Sequence, residues 1–265
     1  MRFHQHNSGQ RNQELQNRGM KNPLLKPIDR IKVRSAHRRA IESLGVRVLA
    51  KAPLRKLAVN TEFGLCYNRI QKNANSTTVL LMDSISGGSL DVEQAKEAAS
   101  IGVLGRTDIS RLNEFLFFVV ARNPYSRVLS AFLEKFSKQK FISKYGEFTL
   151  DPDGFRAFVR WIDNGGLSKN GHWDLQQKQM CFEPQDYDTV ISFENYNAEM
   201  RAFLLSAGVP ESRINLDDSA AKGTHHKTGA SDRLRQFYDA ETQRIVQRCF
   251  MSDFLSLGYD PDRLD

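Results

Sequence analysis

One stretch constrains the fold of this chain more than any other: Phe115 to Phe136, FLFFVVARNPYSRVLSAFLEKF. It opens with a continuous apolar run, Phe115 to Ala121, with Val119 and Val120 near its end. A short run that does not alternate with polar residues suits a strand buried on both faces, as in a parallel sheet. Arg122 follows at the strand's carboxyl end. Asn123-Pro124 then reads as N-cap and first helical residue, because asparagine accepts a bond from an orphan amide and proline needs no donor there. Val128, Leu129, Phe132, Leu133 and Phe136 recur at helical spacing and give the helix an apolar face. Ser126 and Ser130 lie on a different face with Arg127 beside them. In open α/β sheets such a strand-to-helix corner is where anionic ligands bind.

The rest of the chain supplies further units of this kind. Residues 1–57 read as a basic extension, the first twenty or so expected to be disordered. The part from Arg30 to Leu57 reads as a solvated helix, a docking arm or a membrane-surface contact. Residues 58–265 read as one α/β domain. Its elements are a first strand over Phe63–Ile70, helices over Ser76–Ile85 and Asp91–Ser100, then the central unit. A helix opening at Asp153-Gly154 follows, with Phe155, Phe158, Val159 and Ile162 on one face. A third strand over Tyr187–Phe193, a helix over Glu194–Ala207 and two helices from Ser231 to Leu257 complete it. Strands separated by helices predict a parallel, βαβ-built central sheet flanked by helices.

A formal charge of +7 favours an anionic partner. Three widely spaced cysteines without a CxxC pair, and no Cys/His cluster, predict a reducing compartment and no structural metal. No apolar run is long enough for a membrane span and no signal-type core is present, so the expectation is a soluble, cytoplasmic protein. Oligomeric state is left open.

Two corners have anion-binding character. At the first, Lys72 precedes a helix opening with the small polar residues Asn75, Ser76, Thr77 and Thr78. Free amides and a partial positive charge at a helix start, with the lysine's full charge, suit a phosphate. The GxxxxGK[ST] signature is absent, so this is not a Walker loop. At the second corner Arg122 and Ser130 are eight positions apart across the turn and can reach one phosphate together.

Together, Lys72 to Thr77 and the R-x-P-x-x-R-x-x-S segment from Arg122 to Ser130 resemble the nucleotide-binding signature of the sulfotransferases. The carbohydrate branch, with its chondroitin and dermatan O-sulfotransferases, is the more similar. It shares Ser130-Ala131-Phe132 through Lys135, His172-Trp173 through Gln176, Cys181, Tyr187-Asp188 and Phe193-Glu194, in that order. The resemblance runs roughly from Phe63 to Asp260. Asn75 stands where that family usually has Ser, Thr or Cys, and Leu175 replaces a usual proline.

The resemblance implies a three-layer, P-loop-like fold. It implies 3′-phosphoadenosine 5′-phosphosulfate as donor, adenosine 3′,5′-bisphosphate as product, and a carbohydrate acceptor, with no metal and no nucleic acid. Lys72, Asn73, Asn75, Ser76 and Thr77 would hold the 5′-phosphosulfate, and Arg122 and Ser130 the 3′-phosphate. Arg127 would contact the nucleotide or brace the turn. His172 is the expected base, since an imidazole accepts a proton near neutral pH, with Glu194 as the alternative. Trp173 packs or stacks on a sugar. His225 and His226 read as an exposed polar loop, or, with Lys222-Gly223-Thr224, as similar to the loop that other sulfotransferases close over the 3′-phosphate. An ATP-dependent kinase and a non-enzymatic polyanion-binding protein are the competing readings.

Overall fold

The structure, a computed structural model, describes residues 56–100, 111–217 and 228–264. The extension expected over 1–57, apart from its last two residues, lies outside the described residues, as do Lys222, His225 and His226.

The sheet begins one strand earlier than the sequence suggests. β1 (Leu57–Asn60) pairs antiparallel with β2 (Leu65–Asn68) across a turn at Thr61–Gly64. β1 is only four residues, all buried, and shows no alternation to mark it as a strand. From β2 onward the pairing is parallel: β2 lies beside β3 (Leu116–Ala121), and β3 beside β4 (Thr189–Ser192). Among the described residues the sheet therefore has the order β1-β2-β3-β4, parallel except at its first pair.

β3 is central, and its alternation feeds two cores. Phe118 and Val120 face one cluster, packed with Tyr67 and Ile191 beneath α1 (Asn75–Ser84) and the helix α6 (Tyr196–Ser206). Phe117 and Val119 face the other side, covered by Met180, Cys181, Phe182 and Tyr187. This two-sided burial is why the run carries no polar residue. Between these elements lie α2 (Val92–Ala98), whose Asp91 forms a capping box with Gln94, and α3 (Pro124–Lys135). α4 (Gln139–Tyr145) and α5 (Pro152–Trp161) follow α3, and α7 (Leu234–Phe237) and α8 (Ala240–Leu257) come after α6.

A third core joins α3, α5, α7 and α8 around Phe132, whose ring meets Phe136, Phe155, Phe158 and Phe237. Trp173 is fully buried there and its indole N–H donates to Gly166 O at 3.0 Å, so it packs. All twelve residues of α3 are buried, because the face bearing Ser126 and Ser130 is covered by loops while the apolar face meets the core. All three cysteines are free thiols. Among the described residues no helix is long and apolar enough to cross a membrane.

Candidate functional site

The two corners meet. Asn123 caps α3 by accepting from the Tyr125 amide at 2.9 Å, with Pro124 in the first turn. Arg122, at the end of β3, turns back toward the loop that joins β2 to α1. Its Nη1 donates to Lys72 O at 2.9 Å and its Nε to Ser126 Oγ at 2.9 Å, and the guanidinium lies 3.9 Å from the Phe193 ring centroid.

The loop itself is wired inward through consecutive carbonyls. Gln71 O accepts from Arg127 Nε, Lys72 O from Arg122, and Asn73 O from the Tyr67 hydroxyl. The side chain of Asn73, expected to face a ligand, is instead fully buried. Its Nδ2 donates to Val120 O at 2.7 Å and Gln176 Oε1 at 2.6 Å, which anchors the loop to the strand end. Lys72 (φ 73°) and Ala74 (φ 52°) are the non-glycine residues with positive φ among those described, and they bracket Asn73. Left-handed backbone costs a side-chain-bearing residue about 1–2 kcal/mol, and such strain persists where surrounding bonds over-determine it.

That wiring leaves donors. The first amide of α1 with a backbone acceptor is Thr78, bonded to Ala74 O, so among the described residues those of Asn75, Ser76 and Thr77 have no partner at the helix start. The hydroxyls of Ser76 and Thr77 have no partner among the described residues, while Asn75 Oδ1 accepts from Arg69 Nε at 3.1 Å. These residues, Lys72, Arg122, Ser130 and His172 line a single cleft of about 520 Å3, within the range of roughly 300–1,000 Å3 usual for small-molecule sites. Ser130 meets Thr228 across it at 3.3 Å.

The charges are unusual. The Lys72 amine lies 2.7 Å from Glu134 Oε2, and Glu134 Oε1 meets Lys135 and Lys138, each at 2.7 Å. Burial, partly countered by Glu134, lowers Lys72 to about 8. Burial raises the Glu134 carboxyl, but the Lys72 charge and the lysine hydrogen bonds outweigh it and hold the group well below the usual range. His172 is pushed down to about 3 by burial and by the Lys135 charge, so its imidazole is neutral at pH 7. Its Nδ1 is buried without a partner among the described residues, leaving Nε2 as the ring nitrogen available to a ligand.

Two expectations take other places. Glu194 does not line the cleft: it accepts from the Asn123 amide at 3.0 Å, Ser192 Oγ at 3.1 Å and the Tyr259 hydroxyl at 2.8 Å, and so braces the turn before α3. Arg127 is fully buried and grips Gln71 O, Asp174 O and Gly171 O, which is a bracing role. Glu134 and Gln176 were not singled out for roles in the site. Gln176 ties the corners together, accepting from Asn73 Nδ2 and the Arg122 amide and donating to Arg122 O. A single acidic residue ahead of Lys135, Lys138 and Lys140 is the one mark of Glu134 that the sequence carries.

A lysine and unpaired amides at one helix start, with an arginine and serine from the next strand–helix corner on the same cleft, form a site for a molecule with two separated anionic groups. The sequence pattern of the sulfotransferase family matches residues 55–260. The chain belongs to the sulfotransferase family. Its similar relatives include carbohydrate sulfotransferase 11 of Rattus norvegicus and of Mus musculus. Each is 24% identical over 247 residues, spanning 80% of this chain and 69% of the relative. No solved structure gives a significant match. Family membership favours sulfuryl transfer over the kinase and polyanion-binding readings. Among the described residues of this sulfotransferase no cluster of His, Cys, Asp or Glu could hold a metal ion.

Proposed function

We propose that this sulfotransferase moves the sulfuryl group of 3′-phosphoadenosine 5′-phosphosulfate to a carbohydrate hydroxyl by in-line displacement. The observation that carries the reading is the convergence of Lys72 and Arg122 on one cleft, with Arg122 bonded to the Lys72 carbonyl. The carbohydrate acceptor is supported by the relatives, which are carbohydrate sulfotransferases by name.

In this reading the free amides of Asn75, Ser76 and Thr77, with the two hydroxyls, hold the 5′ end. Lys72 neutralises the charge that grows on the bridging oxygen as the sulfur–oxygen bond breaks. Ser130 and the Nη2 of Arg122, which has no partner among the described residues, receive the 3′-phosphate. The acceptor oxygen forms the new bond to sulfur and its proton passes to His172 Nε2, while adenosine 3′,5′-bisphosphate leaves. Burial and the neighbouring cations, only partly offset by Glu134, keep the imidazole weakly basic, and the anionic groups of the donor would counter the cations' share of that effect.

The direct test is transfer of labelled sulfuryl from this donor to an array of carbohydrates, with labelled ATP as the comparison. Label on no sugar would sink the reading. Arg122→Ala is expected to weaken retention on immobilised adenosine 3′,5′-bisphosphate about tenfold to a hundredfold, the loss of one or two charged hydrogen bonds. Equal retention would count against the second corner. His172→Ala is expected to lower kcat about a hundredfold with little change in donor affinity; a near-normal kcat would move the base elsewhere.

A further inference from the structure

Among the side chains lining the cleft, Glu134 has no part in the chemistry just described, yet it makes ionic contacts with three lysines of the cleft, each at 2.7 Å. It sits on α3, one turn beyond Ser130, and is the side-chain partner of Lys72. Both groups are more than nine-tenths buried, at 8% and 7% exposure, so water contributes little to holding either charge. The geometry points to Glu134 as a positioning residue that keeps Lys72 in the cleft as an ammonium until an anionic donor takes its place. The inference rests on reading the cleft as the donor site.

Two features support it. First, the cation is surrounded by its own kind. Facing Lys72 are Lys135 on α3, Arg122 at the end of β3 and His172 on the preceding loop to β4. Lys138, Lys96 and Asp232 complete the charged groups of the wall. Without a carboxylate, burial and these neighbours would favour a neutral amine, and a neutral amine cannot stabilise a leaving phosphate. Second, Glu134 does not depend on Lys72 for company. Its Oε1 stays with Lys135 and Lys138, so the lysine can swing to the donor without stranding a buried carboxylate. The same carboxylate also competes with an incoming anion for the amine.

Holding and competing have opposite signs with pH, which gives the test. Removing the carboxylate frees the amine where it remains charged and discharges it sooner as pH rises. The full chain carrying 13Cε-labelled lysine is titrated by NMR, with the Lys72 signal assigned through Lys72→Arg. Binding of 3′-phosphoadenosine 5′-phosphosulfate is measured by calorimetry from pH 6 to 9. In Glu134→Gln the Lys72 midpoint is expected to fall by about one pH unit or more. Donor affinity is expected to exceed wild type several-fold at pH 6 and to drop below it by pH 9, so the two curves cross. An unmoved Lys72 midpoint, or binding curves that stay parallel, overturns the inference. Should the amide variant not fold, Glu134→Asp widens the gap to Lys72, and a lowered midpoint is expected there too; an unchanged one overturns it. A shifted midpoint with no donor binding in either protein upholds the coupling and sinks the reading of the cleft instead.

Discussion

Replacing Lys72 with methionine is expected to lower kcat by on the order of a thousandfold while leaving the protein folded. Removing one preorganised donor to a developing oxyanion costs about 10²–10³ in kcat, and here the donor is also a full charge in a buried setting. The fold survives for two reasons. Glu134 keeps Lys135 and Lys138 when the third amine goes, so no carboxylate is stranded. Methionine also bears the same left-handed backbone cost that lysine bears at φ 73°, so the loop strain is unchanged. The pH profile supplies a second signature. Lys72 acts as an ammonium, and with its value lowered to about 8 the charged form predominates below that pH and is lost above it. The wild-type kcat/KM for the donor is therefore expected to decline about tenfold per pH unit above 8, a limb absent from the methionine variant. A methionine enzyme retaining a tenth of wild-type kcat would remove Lys72 from the chemistry.

The strand–turn–helix unit was legible because its signals are local. Seven apolar residues, an Asn-Pro start and a helical apolar face specify one geometry, and the structure has it from Leu116 to Lys135. The first corner was legible for the same reason, since a lysine followed by small polar residues is a helix-start pattern. Neither the roles within the corner nor its wiring could be read locally. Asn73 looks like a ligand donor beside Lys72, but its partners Val120 and Gln176 are 47 and 103 positions away. Glu134 reaches Lys72 across 62 positions, and Arg122 reaches it across 50. Periodicity says which face of a helix is apolar; it does not say what covers the other face. Hence α3 reads as half-exposed yet is buried throughout. β1 escaped because four buried residues carry too short a pattern to separate strand from the end of a basic helix. The His-Trp segment was recognised as familial, but the work of its glutamine shows only when the two corners are seen to share it.

That wiring makes Arg127 consequential for stability although it takes no part in the chemistry. Arg127→Met is expected to lower unfolding free energy by about 3–5 kcal/mol in urea titrations, from the several buried carbonyls that lose their donor at once. The guanidinium fills the space between three segments and donates to Gln71 O at 3.1 Å, Asp174 O at 2.7 Å and Gly171 O at 3.1 Å. Methionine matches much of its volume but leaves all three carbonyls without that donor, at about 1–3 kcal/mol for each that stays buried and unpaired. The losses are not additive, because once one segment relaxes the others gain access to water. It also removes the positive charge that favours ionised Asp253, whose buried carboxylate accepts from the amides of Gln176 and Gln177. Arg127→Lys should rescue little, since a single ammonium lacks the planar fork that spans separated acceptors. Gln71 precedes Lys72 and Gly171 precedes His172, so the same change releases both cleft loops together. Donor affinity should therefore fall even at temperatures where the variant remains folded. A methionine variant within about 1 kcal/mol of wild type would mean that these loops hold their places without the arginine, and that the geometry of the cleft is set elsewhere.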